Sequence, residues 1–247
     1  MGLLSGKVTL VTGAATGLGR AIAVEYGREG AKVVVNYSKS SDDAKQTAEL
    51  VREAGGEPLL IQADVAQDRQ VRAMVAKTLE HFGRIDVLVN NAGVIKTLPF
   101  SDLEGLTEEV WDTQLNVHVK GTFFCCRAVV EPMRRQGRGR IINIASIAGL
   151  WSRGSSIAYS TSKAALVHLS KCLARTLGPE IQVNVIAPGF IPNTRGTAGR
   201  PIEPMLQDAA LKRVGKPSDV AELALFMATK ADFMSGSVVT VDGGRVC

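Results

Sequence analysis

Aromatic residues are scarce in this chain of 247 residues: 2 Trp, 3 Tyr and 7 Phe make up 5% of it. Surfaces that hold single-stranded nucleic acid stack bases on rings set among cations, and no rings are interleaved in this chain's arginine-rich stretch. Histidine and cysteine are sparser still, at 3 and 4. None falls at metal-ligand spacing, so no metal site is expected. Adjacent Cys125 and Cys126 do not readily close a structural loop. With Cys172 and Cys247 they read as reduced thiols, which suits the cytosol. No apolar run reaches the ~18–20 residues of a membrane span. The start, Met1-Gly2-Leu3-Leu4-Ser5-Gly6-Lys7, lacks the order of a secretory leader. Acidic residues number 24 against 29 Lys and Arg, a net charge of +5. The excess gathers at Arg134, Arg135, Arg138 and Arg140. With no rings among them, these are expected as a solvated helix end and turn, not a nucleic-acid surface.

What is plentiful is apolar surface, 45% of residues, and glycine, 25 of them. Short apolar runs alternate with amphipathic stretches of helical length. The runs are Val8–Val11, Lys32–Asn36, Leu59–Ala63, Ile85–Asn90, Ile141–Ala145, Val183–Ile186 and Val238–Val241. Most are continuous rather than alternating, the pattern of parallel strands covered on both faces. Helices are expected over 17–29, 42–54, 68–82, 107–135, 157–177 and 218–228. Strand and helix in alternation predict an α/β fold: a Rossmann-type doubly wound sheet of about seven parallel strands. Residues 1–247 read as one domain, and the irregular stretch near 189–212 is long enough for a lid.

The first strand runs into Thr12-Gly13-Ala14-Ala15-Thr16-Gly17-Leu18-Gly19 and then a helix. Glycines there permit a tight turn and let backbone approach a pyrophosphate, which the helix N-terminus attracts. Structural glycines at a strand–helix junction are the plainer alternative. The second strand ends at Asn36, followed by Ser38 and Lys39, where an acidic residue would hold the ribose 2′-hydroxyl of NAD. Amide, hydroxyl and ammonium tolerate a 2′-phosphate, so NADP(H) is expected over NAD(H); ordinary turn residues would look the same. Asp64 either accepts from adenine or caps its turn. In Asn90-Asn91-Ala92-Gly93, the asparagines either hold neighbouring strands or the adenosine ribose, and Gly93 leaves room for the ligand.

Beyond the fifth strand stand Ser146, then Tyr159 and Lys163. The last two are spaced i,i+4 and share a helix face. A phenol with a pKa near 10 is a poor base alone, but a nearby ammonium favours the phenolate and makes it a usable acid/base. Ser146 can hydrogen-bond a substrate oxygen. An ordinary helix bearing Tyr and Lys is the bland alternative.

Taken together, these motifs resemble the short-chain dehydrogenase/reductase family over the whole chain, and are similar to bacterial 3-oxoacyl reductases and sugar dehydrogenases. The resemblance rests on Thr12-Gly13-x-x-x-Gly17-x-Gly19, Asn90-Asn91-Ala92-Gly93, Asn116, Ser146, Tyr159-x-x-x-Lys163, Pro188-Gly189 and Asp242-Gly243-Gly244. It implies an oxidoreductase interconverting an alcohol and a carbonyl by hydride transfer. Tyr159 would be the acid/base, Lys163 would lower its pKa and bind the nicotinamide ribose, and Asn116 would anchor a water beside Lys163. It adds Thr16, Leu18, Val65, Ala92, Pro188, Gly189 and Ile191 to the coenzyme contacts, and it implies a homotetramer. Ile95, Lys96, Trp151, Arg153 and Phe190 are expected beside Ser146 in the substrate pocket. One departure is Val94-Ile95-Lys96-Thr97, where ketoacyl reductases carry Ile-Thr-Arg-Asp. A redox-silent dinucleotide-binding protein is the alternative, and it would be expected to have lost the Ser–Tyr–Lys–Asn set.

Overall fold

The protein is seen in a computed structural model that describes residues 1–192, 194, 197, 199 and 201–246. Seven parallel strands form one sheet in the order β3-β2-β1-β4-β5-β6-β7. They are β1 (Val8–Val11), β2 (Lys32–Tyr37), β3 (Glu57–Gln62), β4 (Val87–Asn90), β5 (Gly139–Ile144), β6 (Ile181–Pro188) and β7 (Val238–Val241). Between them run α1 (Gly17–Arg28), α2 (Ser41–Glu53), α3 (Asp68–Phe82), α4 (Glu108–Leu115), α5 (Thr122–Arg135), α6 (Ile157–Leu177), α7 (Glu203–Asp208) and α8 (Pro217–Thr229).

Continuous apolar strands are explained by two cores, one on each face. Val33, Val35, Val87, Val89, Ile142 and Ile144 pack against Ile22, Ala23 and Tyr26 of α1 and Val220, Ala224 and Met227 of α8. Their in-between neighbours Val34, Leu88 and Ile141 face Met74 of α3 and Cys126, Val129 and Met133 of α5. Alternate residues thus enter opposite cores, as the period of two requires. Pro58 sits inside β3, which the apolar run Leu59–Ala63 did not anticipate. β3 is an edge strand, where a missing N–H costs no ladder bond.

One expectation is refined and another corrected. The stretch 107–135 is continuously helical as expected, but it is not uniform: the wide π turn Asn116–Gly121 joins α4 to α5. Such turns recur at functional sites because they redirect side chains without breaking the helix. Arg140, expected on a solvated turn, is buried in β5; its guanidinium donates to Met227 O (2.9 Å) and pairs with Asp232. Cys125 and Cys126 are buried free thiols, as expected, and Cys172 is an exposed one; Cys247 lies outside the described residues.

A buried polar chain fixes α6 to the sheet. Asn90 Nδ2 donates to Asn143 Oδ1 (2.8 Å), Asn143 Nδ2 donates to Ser170 Oγ (2.8 Å), and that hydroxyl donates to Leu166 O (2.7 Å). Leaving any of these groups unpaired in the core would cost about 1–3 kcal/mol. The chain therefore selects one seating of α6 on β4 and β5, and α6 carries Tyr159 and Lys163.

Candidate active site

β1 ends in a turn that only glycine accommodates comfortably: Gly13 has φ +62° and Gly17 φ +58°. A Cβ on Gly13 would lie 2.8 Å from Ala92 Cα, so the turn after β1 touches the segment after β4. Thr12 fastens the two. Its hydroxyl accepts from Asn91 N and Ala92 N, both at 3.0 Å, while Asn91 Nδ2 donates to Thr12 O (2.9 Å) and Gly13 O (3.1 Å). α1 begins here with no side-chain cap and no acidic residue in its first turn. Its first N–H groups and positive dipole end are therefore kept for an anion.

A cleft of about 630 Å³ opens along this edge, bordered by Gly13, Thr16, Gly17 and Leu18 from the first turn. Tyr37, Ser38, Lys39 and Ser40 after β2, and Asp64 and Val65 after β3, form one wall. Ala92, Gly93, Val94 and Ile95 form the other, with Tyr159 and Lys163 at the far end. A dinucleotide fits these residues: an uncapped helix end for its pyrophosphate, beside a turn held tight by Gly13 and Gly17 at positive φ.

Asn36 does a different job from the one expected of it. It borders the cleft but is only 1% exposed. Its Nδ2 donates to Ile61 O (3.3 Å) and Ala63 O (3.0 Å), and its Oδ1 accepts from Gly13 N (3.3 Å). Its amide thus ties together the ends of β1, β2 and β3, and Tyr37, Ser38 and Lys39 carry the exposed chemistry. Of the two roles open to Asn90, the strand-holding one is seen: its amide donates to Asn143 of β5 and to Cys126 of α5, while Asn91, its neighbour, lines the cleft. Asp64 caps its own turn, with Oδ1 accepting from Ala66 N (3.0 Å), and still borders the cleft.

At the reacting end, Ser156 caps α6 and accepts from Tyr159 N (3.2 Å). Lys163 is buried and donates from Nζ to Ile144 O (2.9 Å), with its ammonium 5.8 Å from the Tyr159 ring centroid. Burial pulls the Lys163 pKa down to about 7, because the charged form loses water. Ser146 ends the same strand edge and accepts from Ala148 N (3.2 Å), which leaves its O–H hydrogen to give. Its turn, Ile147–Gly149, is seated directly on α6: a Cβ on Gly149 would lie 2.6 Å from the Lys163 carbonyl carbon. Asn116 opens the π turn between α4 and α5.

Of the expected substrate-facing residues, Ile95 is on the cleft wall. Trp151 and Arg153 are drawn elsewhere. The guanidinium carbons of Arg153 and Arg245 each lie 5.5 Å from the Trp151 ring centroid, and both arginines pair with Asp208 of α7. Phe190 lines a small separate hollow with Met205, Arg213 and Arg245. Ile191 is buried near Gly215, and Gly189 N donates to Val241 O, so both brace the strand ends. His118 was missed. A lone histidine in a helical stretch carries no signal by spacing, yet it lies against Tyr159 at the cleft.

An open α/β sheet with a phosphate-ready turn at β1 and a Tyr–Lys pair across the cleft defines a dinucleotide-dependent oxidoreductase. The chain belongs to the short-chain dehydrogenase/reductase family. A family model described as enoyl-(acyl carrier protein) reductase matches residues 13–245. The 3-oxoacyl-acyl-carrier-protein reductase of Synechocystis is 40% identical over 250 residues, covering 100% of this chain and 99% of that protein. The reductase of the same description from Staphylococcus epidermidis is 38% identical over 242 residues, covering 96% and 98%. A short-chain type dehydrogenase/reductase from Mycobacterium marinum superposes with a TM-score of 0.90 at 34% identity, over 100% of both chains. A dehydrogenase/reductase from Sinorhizobium meliloti gives 0.92 at 33%, over 99% of this chain and 96% of its own.

The reassignment of Asn36 has a direct test. In Asn36→Asp, a buried carboxylate would face two carbonyl oxygens that now accept from the amide. We expect a loss of stability of about 2–4 kcal/mol in urea denaturation, from unpaired groups and a buried charge. Burial would raise that carboxyl above its unfolded value of ~3.9, so the loss should shrink as pH falls toward 4 and grow toward 7. A stable protein with merely altered coenzyme preference would contradict the assignment.

Proposed function

We propose that the chain is an NADP(H)-preferring oxidoreductase that interconverts a small-molecule alcohol and its carbonyl compound, with Tyr159 as the acid/base. The observation that carries this reading is the Tyr159–Lys163 pair, on one face of α6 and at the end of a cleft that begins at a bare helix N-terminus. A bound nicotinamide supplies or takes up the hydride at its C4. In the reducing direction Tyr159 gives its phenolic proton to the substrate oxygen as hydride reaches the carbonyl carbon. Lys163 stabilises the phenolate left behind and binds the nicotinamide ribose. Ser146 donates to the substrate oxygen, and Asn116 anchors a water leading from Lys163 toward solvent. Tyr159→Phe keeps the ring and removes the proton. Turnover should fall about 10²–10⁴-fold, with coenzyme binding kept in fluorescence titration. Near-normal turnover in that variant would exclude the role.

Coenzyme preference rests on the wall after β2. Tyr37, Ser38, Lys39 and Ser40 border the cleft without a carboxylate, and Lys39 adds a cation. A charge-assisted bond to a 2′-phosphate is worth about 1–3 kcal/mol, or roughly 5–150-fold. The ratio of kcat/KM for the two coenzymes should favour NADP(H) within that range, and Lys39→Glu should reverse it. A tenfold preference of the unsubstituted protein for NAD(H) would overturn the reading.

A second substrate reading, a 3-oxoacyl thioester, is favoured by what the Synechocystis and Staphylococcus relatives are described as. It is opposed by Val94-Ile95-Lys96-Thr97, of which Val94 and Ile95 border the cleft. Assays of ketones, sugars, polyols and acyl thioesters separate the two. The segment 189–212, part of which lies outside the described residues, is proposed as the substrate lid. The buried free thiols Cys125 and Cys126 support a cytoplasmic setting, and no helix among the described residues is long and apolar enough to cross a membrane.

A homotetramer is proposed from apolar surface that the sheet does not absorb. Val129 and Leu166 are buried beneath their helices, but Phe123 is 37% exposed, and Phe124, Leu169 and Leu173 are half-buried. Arg127 stacks on both phenyl rings, at 5.4 and 5.3 Å. Light scattering at micromolar concentration should return four chains; a monomer would refute the assembly.

A further inference from the structure

Two side chains on the α4–π turn face grip the loop that borders the reacting end of the cleft. Gln114 is buried; with its amide oriented to suit its partners, it donates to Val94 O (3.1 Å) and accepts from Lys96 N (3.3 Å). Four residues on, His118 is 1% exposed, and its Nε2 accepts from Val94 N (3.1 Å). Its Nδ1 lies 2.8 Å from Ser162 Oγ, and that hydroxyl donates to Tyr159 O (2.7 Å). The imidazole also meets the Tyr159 ring edge-on, with centroids 5.5 Å apart.

The direction of every bond in this chain is determined. A backbone N–H can only donate, so Nε2 carries no proton; Nδ1 carries it and donates to Ser162, whose own hydrogen goes to Tyr159 O. An imidazolium would set N–H against N–H at Val94, so the closed arrangement requires the neutral ring. The ionisable groups facing it are Tyr159 and Lys163 of α6, while Asn91–Val94 contributes none. Burial and the Lys163 charge both hold His118 well below the usual histidine range. The loop is tight against the ring: a Cβ on Gly93 would lie 3.2 Å from Nε2.

We propose that His118 is a positioning residue that clamps the Gly93–Val94 loop to the helix turn carrying Tyr159, so that the cofactor-facing wall and the proton donor move as one unit. The proposal rests on the oxidoreductase reading above, because it gives the clamp a reaction to serve. Its chemistry is that of a fixed tautomer, not of proton transfer to substrate.

The first test needs no turnover. Ring ¹⁵N spectra of the full-length, coenzyme-free protein, with His118→Gln to assign the signal, should show a neutral Nδ1–H ring. That ring should not titrate from about pH 8 to about pH 5.5, through the ordinary value of ~6.5. A His118 signal that protonates near 6.5, or the Nε2–H tautomer, would overturn the clamp. The second test is kinetic. His118→Phe keeps a ring but no acceptor, and kcat should fall about 10–100-fold, the scale of an ångström-level misplacement, with substrate KM changed less than about threefold. His118→Gln can still accept and donate, and should recover most of kcat. Ser162→Ala should lower kcat in the same direction and add little on top of His118→Phe, because both break one chain. Unsubstituted kcat in His118→Phe would overturn the proposal. If the unsubstituted protein turns over no carbonyl or alcohol, the oxidoreductase reading fails, and the tautomer spectrum then decides the clamp by itself.

Discussion

The pairing of β1 with β4 is the constraint on which the rest of the molecule depends. Chain order places them side by side at the centre of the sheet, with β2 and β3 on one flank and β5 to β7 on the other. The helix after β1 covers one face and the helices after β4 cover the opposite one. Their departure in opposite directions leaves a crevice at the strands' carboxyl ends, and ligands of open α/β sheets bind there. Such a crevice exposes backbone groups that neither sheet nor helix pairs. Thr12, Asn91 and Asn36 satisfy them, each through a side chain reaching from one strand end to another. These bonds fasten the strand ends to one another at the mouth of the cleft.

The reacting end works by a different principle, in which burial tunes charge. Lys163 sits in a dry place with one carbonyl partner, and the loss of water brings its ammonium close to neutrality at physiological pH. An ammonium in that state is sensitive to any negative charge delivered beside it, a phenolate or a ribose hydroxyl network included. The neighbouring imidazole carries no charge to compete with it. The geometry that permits this comes from the buried amide chain from Asn90 through Asn143 to Ser170, which seats α6, and from the close approach of Gly149 to the Lys163 backbone.

Relatedness extends over the whole fold. At 38–40% identity the relatives from Synechocystis and Staphylococcus span nearly the whole chain, and solved structures superpose at TM-scores of 0.90 and 0.92. The seven-stranded sheet and the helices that cover it belong to that shared frame.

The chain's own pattern determined the strand number, the doubly covered sheet, the glycine turn and the spacing of Tyr159 and Lys163. All of these are local: continuous apolar runs, helix periodicity and residues that tolerate positive φ need no knowledge of distant partners. Tertiary structure decided which polar residues are spent on the scaffold. Asn36 and Asn91 stand at comparable strand ends, as do Asn90 and the exposed Lys39, and no spacing rule says which amide turns inward to another strand's carbonyl and which borders the cleft. Arg140 was legible as a cation but not as a buried one, because Asp232 and Met227 reach it only when α8 folds over β5. His118 is the clearest case. One histidine among helix residues is silent until the π turn, the Val94 amide and Ser162 converge on its two nitrogens, and hydrogen bonds between segments 24 and 44 residues apart have no trace in local sequence.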